Sequence, residues 1–148
     1  MQWKPNTTVA AIVRRGERFL VVEEAVDGGV VINQPAGHIE ENETPGQAVR
    51  REVAEETGYR FEPHAITGIY FYRSPGNGIT YVRFCFTGEC DAEPDDGPLD
   101  EGIIRARWMT RDELEACADM HRSPLVLRCI DDYLSGRSFP LDLVASVG

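Results

Sequence analysis

The stretch GHIEENETPGQAVRREVAEETGY, Gly37 to Tyr59, decides the reading of this chain. Inside it, Thr44-Pro45-Gly46-Gln47 has the form of a helix start: Thr as N-cap, Pro at the first helical position, and Gln three residues after the cap to close a capping box. Gly58 supplies the stop, so a helix over Pro45 to Thr57 is predicted. At about 100° per residue, Glu52, Glu55 and Glu56 fall in one arc of about 100°. Val49 and Val53 form the neighbouring stripe that buries against a sheet, and Ala48 leaves room one turn before the carboxylates. Like charges at these spacings cost helix stability, a few tenths of a kcal/mol per pair, and a divalent cation offsets that cost. Taken alone, Arg50 to Glu56 (RREVAEE) reads as a solvated, salt-bridged helix face. The surrounding spacing favours the metal. Magnesium binds through a few carboxylates plus phosphate oxygens and water, and manganese is the alternative ion. Arg51 beside the arc is placed to pair with Glu43 or with a ligand carboxylate.

Working outward, Thr7 to Arg14 and Phe19 to Glu23 are β-branched and apolar around Arg15-Gly16-Glu17-Arg18, which predicts a hairpin. Val30 to Ile39 is a short extended run interrupted by Pro35 and Gly37. Ile66 to Tyr72 and Ile79 to Phe86 flank Ser74-Pro75-Gly76-Asn77-Gly78 and predict a second hairpin. Glu89 to Pro98 is acidic and turn-rich, and Ile103 to Met109 is the last expected strand. Thr110 to Glu113 opens a helix to about Ala118, and Ser123-Pro124 opens another to about Leu134. Hairpins with interspersed helices give an α+β layered fold, expected as one domain over residues 1–148.

With 25 acidic and 15 basic residues the formal net charge is -10, which argues against nucleic-acid or membrane partners held by bulk electrostatics. An anionic substrate then needs local positive charge, and the helix carboxylates point to a metal as its source. The four cysteines lack metal-binding spacing, no apolar stretch is long enough for a membrane span, and the N-terminus has no signal-peptide pattern. The expectation is a cytoplasmic protein, monomer or homodimer, acting on a small phosphorylated substrate. No P-loop sequence is present, so hydrolysis is favoured over P-loop phosphoryl transfer.

Gly37, Glu43 and the run Arg51-Glu52-Val53-Ala54-Glu55-Glu56-Thr57-Gly58-Tyr59 resemble the Nudix hydrolase signature G-x5-E-x7-R-E-U-x-E-E-x-G-U, where U is bulky and apolar. Every specified position is met, Tyr59 being the less usual choice. The resemblance implies a loop-helix-loop box in a mixed sheet sandwiched between helices. It implies metal binding by Glu52, Glu55 and Glu56, their positioning by Arg51 with Glu43, and a backbone carbonyl ligand from Gly37. Val9–Glu24, Asn33–His38, Arg122–Val126 and Tyr133–Leu141 are further similar to a phosphatase branch of that family. That likeness implies hydrolysis of nucleoside di- and triphosphates and thiamine-type pyrophosphates, with release of phosphate. The alternatives are a pyrophosphatase for ADP-ribose, nucleotide sugars or dinucleotides, and a non-catalytic ligand sensor or RNA-binding module.

Outside the box the candidates are weaker. Asp100 and Glu101 precede the last strand, where many proteins of the resembled family carry an extra acid, and Glu101 is preferred. His38 adjoins Gly37 and is a phosphate-contact candidate, although a lone His is more often structural. Arg83 shares a strand face with Tyr81 and is a phosphate clamp if that face lines a cleft. Tyr72 and Tyr81 are candidates to stack on a base or heterocycle, although strand aromatics are more often core.

Overall fold

The computed structural model describes residues 2–148. Strand β1, Asn6–Arg15, carries the near-continuous apolar run Val9 to Val13, every member of it 0–1% exposed, as a strand covered on both faces requires. Its alternate residues part the core in two. Val9, Ala11 and Val13 pack with Ala48, Val49 and Val53 of helix α1, Pro45–Thr57. Ala10 and Ile12 pack with Leu114 of α2, Arg111–Ala116, and with Leu125, Cys129 and Ile130 of α3, Leu125–Leu134. The result is the mixed sheet between helices that the sequence led us to expect.

The strands are β2, Arg18–Val26; β3, Gly29–Asn33; β4, Ala36–His38; β5, Phe61–Arg73; β6, Thr80–Cys90; and β7, Ile103–Thr110. They run in the order β3-β2-β1-β6-β5, with β4 also on β1 and β7 also on β2. The β1–β6 pair is parallel and the others antiparallel. The first expected hairpin is corrected in one respect: β1 and β2 pair only at Arg14↔Phe19 and Arg15↔Arg18. Beyond the turn they part, and β1 takes β4 while β2 takes β7. The expected extended run over Val30 to Ile39 is two strands, broken at Gln34-Pro35, because Pro has no N–H to continue a ladder. Strand β5 begins five residues before Ile66. Its Pro63 is accommodated where the β5–β6 register shifts, on an edge strand. Helix α2 stops at Ala116, short of Ala118, and a 3-10 turn, Ala118–Met120, follows.

Helix α1 has the predicted ends. Thr44 Oγ1 accepts from Gln47 N–H at 3.2 Å and Gln47 Oε1 accepts from Thr44 N–H at 3.0 Å. Gly58 has φ +79°, and a Cβ there would meet the Asp95 carbonyl at 2.8 Å. Gly58→Ala is therefore expected to destabilise by about 2 kcal/mol. A thermal melt should show a drop of roughly 5 °C, and an unchanged midpoint would mean that the cap relaxes at no cost.

Candidate active site

Glu52 and Glu56 lie one helical turn apart on the buried side of α1, each 9% exposed. Strand β4 passes beside them. Ala36 N–H donates to Glu56 Oε1 at 3.0 Å, and a Cβ on Gly37 would overlap the Glu52 carboxylate, so only glycine fits there. Burial pushes the Glu56 carboxyl up to about 8, and the charges of Glu52, Glu24 and Asp100 add to it against the Ala36 hydrogen bond. Burial likewise raises Glu52, opposed by Arg51. Among the described residues no cation lies within ion-pair reach of Glu56.

Arg51 is the hub that orders this cluster. It holds Glu43 through two bonds, Nε to Oε2 at 2.6 Å and Nη2 to Oε1 at 2.9 Å. Its Nη1 reaches Glu52 at 2.6 Å and Glu55 at 2.9 Å, and Nη2 donates to the His38 carbonyl at 3.0 Å. Glu43 is held below the usual carboxylate range, chiefly by Arg51. One guanidinium thus ties the helix to the loop before it and fixes two of its carboxylates.

Glu52, Glu56, Gly37, His38, Arg83, Tyr72 and Tyr81 all line one cleft of about 540 Å³. Of the predicted site residues, Arg51 and Glu55 adjoin it through Glu52, whereas Glu101 is exposed and outside the lining. Its neighbour Asp100 is likewise exposed and outside the lining, and its charge acts on Glu52 and Glu56. Asp100 N–H caps α1 by donating to the Glu55 carbonyl at 2.9 Å, which holds Asp100 beside the helix end and leaves Glu101 in the following turn. His38 is exposed and pairs with Asn6, 3.3 Å from Nε2. Tyr81 OH accepts from Asn77 at 3.2 Å.

The lining also includes Glu24 and Asn33, which the sequence did not single out as cleft residues, and Arg122 and Ser123, whose sequence favoured a helix cap over a substrate contact. Arg122 pairs with Glu24 at 3.2 Å. Strand parity was the available signal for Glu24, four residues from Leu20 on the α1 side of the sheet. A register shift between Glu23 and Glu24 weakens that signal, and Glu23 is committed to Arg105 and Arg107.

The donor chemistry suits a hard divalent ion: buried carboxylate oxygens, mutual repulsion, and a glycine that brings backbone close to Glu52. Among the described residues no three acidic, His or Cys side chains converge on one point, since Arg51 draws Glu52 and Glu55 to itself. Glu52 and Glu55 would have to turn from Arg51 to close around an ion.

The site thus joins a mixed sheet between helices to a buried acidic helix that faces a cleft beside a glycine-bearing strand. The NUDIX domain matches residues 4–129, and the chain belongs to the Nudix hydrolase family. It is 37% identical over 142 residues to phosphatase NudJ of Escherichia coli strain K12, covering 96% of this chain and 92% of that protein. A NUDIX hydrolase structure from Nitrosomonas europaea superposes with a TM-score of 0.94 at 47% identity, over 97% of this chain and 98% of that one. A bifunctional NMN adenylyltransferase/ADP ribose pyrophosphatase from Francisella tularensis shares the fold alone, with a TM-score of 0.74 at 19% identity over 90% of this chain and 42% of that one. No helix among the described residues is long and apolar enough to cross a membrane.

Proposed function

We propose that this chain, acting over residues 1–148 as one cytoplasmic hydrolase domain, cleaves phosphoanhydride bonds in a magnesium-dependent reaction. The substrates are nucleoside di- and triphosphates and thiamine-type pyrophosphates, with release of phosphate. The carrying observation is the buried Glu56, which has no cation partner among the described residues and opens onto the same cleft as a buried arginine, Arg83. The similarity to a protein named as a phosphatase supports phosphate as the product.

Glu52, Glu55, Glu56 and the Gly37 carbonyl would hold the ion. Bound there, a divalent ion neutralises phosphate charge and lowers the pKa of a water. Arg51 keeps the carboxylates oriented between turnovers, tied to the loop by Glu43. A carboxylate oxygen of this group that is not bound to the ion accepts the proton of the attacking water. His38, at the rim beside Gly37, meets the incoming phosphate, and Tyr72 and Tyr81 form the wall for the organic ring.

The test is to assay ATP, ADP and thiamine pyrophosphate for orthophosphate and pyrophosphate, with magnesium and with EDTA. Magnesium-dependent orthophosphate from all three is expected. Pyrophosphate as the product from ATP would contradict the phosphatase reading.

A further inference from the structure

Arg83 is a buried cation in the wall of the cleft, 6% exposed, and its fork is held by neutral groups. Nη1 donates to Gln34 Oε1 at 3.1 Å and to Cys129 Sγ at 3.8 Å, and Nη2 donates to Asn33 Oδ1 at 3.2 Å. Gln34 is itself pinned, its Nε2 donating to the Val126 carbonyl at 2.7 Å. A guanidinium has five N–H donors, so these contacts leave donors over. Among the described residues no carboxylate pairs with Arg83. Cys129 is drawn down by a hydrogen bond with Cys85 and by Arg83, against its burial. A buried cation so poorly matched awaits an anion.

Strand register fixes where that anion belongs. Ala36, which binds Glu56, lies opposite Ala10, and Ala10 lies opposite Cys85. Arg83 is two residues from Cys85 along β6, and Tyr81 is two further on the same face. Tyr72, opposite Tyr81, is one strand farther out. With strands about 4.8 Å apart, β6 stands about 10 Å from β4 across β1. The cleft therefore presents its groups in sequence: carboxylates, then Arg83, then the two tyrosines.

The geometry points to Arg83 as the receptor for the leaving phosphate, the one attached to the organic group, so that water attacks the phosphorus distal to that group. This rests on the hydrolase reading for where attack occurs. The water oxygen bonds to the distal phosphorus and the bridging bond to that phosphorus breaks. The leaving phosphate keeps the bridging oxygen and its electron pair, and the water's proton passes to a carboxylate. Arg83 meets the charge that grows on the leaving phosphate, while Asn33 and Gln34 position its fork.

Two measurements test this. Hydrolysis of ADP with magnesium in ¹⁸O-water should put the label in orthophosphate; label in AMP overturns the proposal. Calorimetry in EDTA should show AMP binding to the wild type, weakened roughly tenfold or more by Arg83→Gln. Arg83→Lys, which keeps the charge and loses the fork, should fall between and guards against misfolding of the first variant, with melting curves as the check. Absence of AMP binding by the wild type, or equal binding by wild type and both variants, overturns the proposal. Failure to hydrolyse ADP would sink the hydrolase reading alone, since the calorimetry reports on Arg83 without turnover.

Discussion

Replacing Glu56 with Gln is expected to cut magnesium-dependent turnover by roughly a hundredfold or more, since a ligand or base role carries several kcal/mol of the barrier. The same change should stabilise the metal-free protein at neutral and alkaline pH. Burial holds the folded-state carboxyl near 8, with Glu52, Glu24 and Asp100 adding repulsion. In the unfolded chain a glutamate titrates near 4.5. Between those values the folded protein keeps a proton that the unfolded chain has lost. Stability in EDTA therefore falls as pH rises through this window, by about 1.4 kcal/mol per unit from this group, and levels off above it. Gln cannot ionise and can still accept from the Ala36 N–H. Urea midpoints from about pH 5 to about pH 9 should converge at the acid end and separate upward, with the variant the more stable. Parallel curves would show that Glu56 is not desolvated in solution.

The second large effect is Arg51→Met. Met keeps an apolar stem but removes the cation shared by Glu43, Glu52 and Glu55, with Glu40 at 3.2 Å as a fourth partner. The Arg51 side chain is 22% exposed, Glu43 14% and Glu52 12%, so the lost pairs are largely shielded from water. A loss of roughly 3 kcal/mol is expected, below the full range for buried pairs because Glu55 and Glu40 are more open. Urea unfolding in EDTA measures it. A change under about 1 kcal/mol would place Arg51 among ordinary surface bridges and deny it the ordering role.

Much of this was legible because it is local. The capping box at Thr44 and Gln47, the stop at Gly58 and the arc holding Glu52 and Glu56 follow from spacing along a single helix. The apolar run in β1 likewise announced a strand. What escaped depends on pairing between distant segments. That β1 leaves β2 after two residue pairs to run parallel with β6 is a tertiary choice, and it brings Arg83 level with Thr8 and into the cleft that Glu52 and Glu56 line. Glu24 and Arg122 enter the cleft for the same reason, 98 residues apart in sequence. The preference for Glu101 over Asp100 concerned neighbours in an acidic stretch, where composition carries no information about direction. The Asp100 N–H bond to the Glu55 carbonyl decides which of them approaches the helix.

The carboxylates of α1 are expected to hold a divalent ion. The most direct measurement is a titration of the protein with Mn²⁺, followed by paramagnetic resonance of the free ion, for the wild type and for the combined Glu52→Gln and Glu56→Gln variant. The expected result is saturable binding by the wild type that the double variant loses, while its circular dichroism stays native. Equal uptake of Mn²⁺ by both proteins would contradict it.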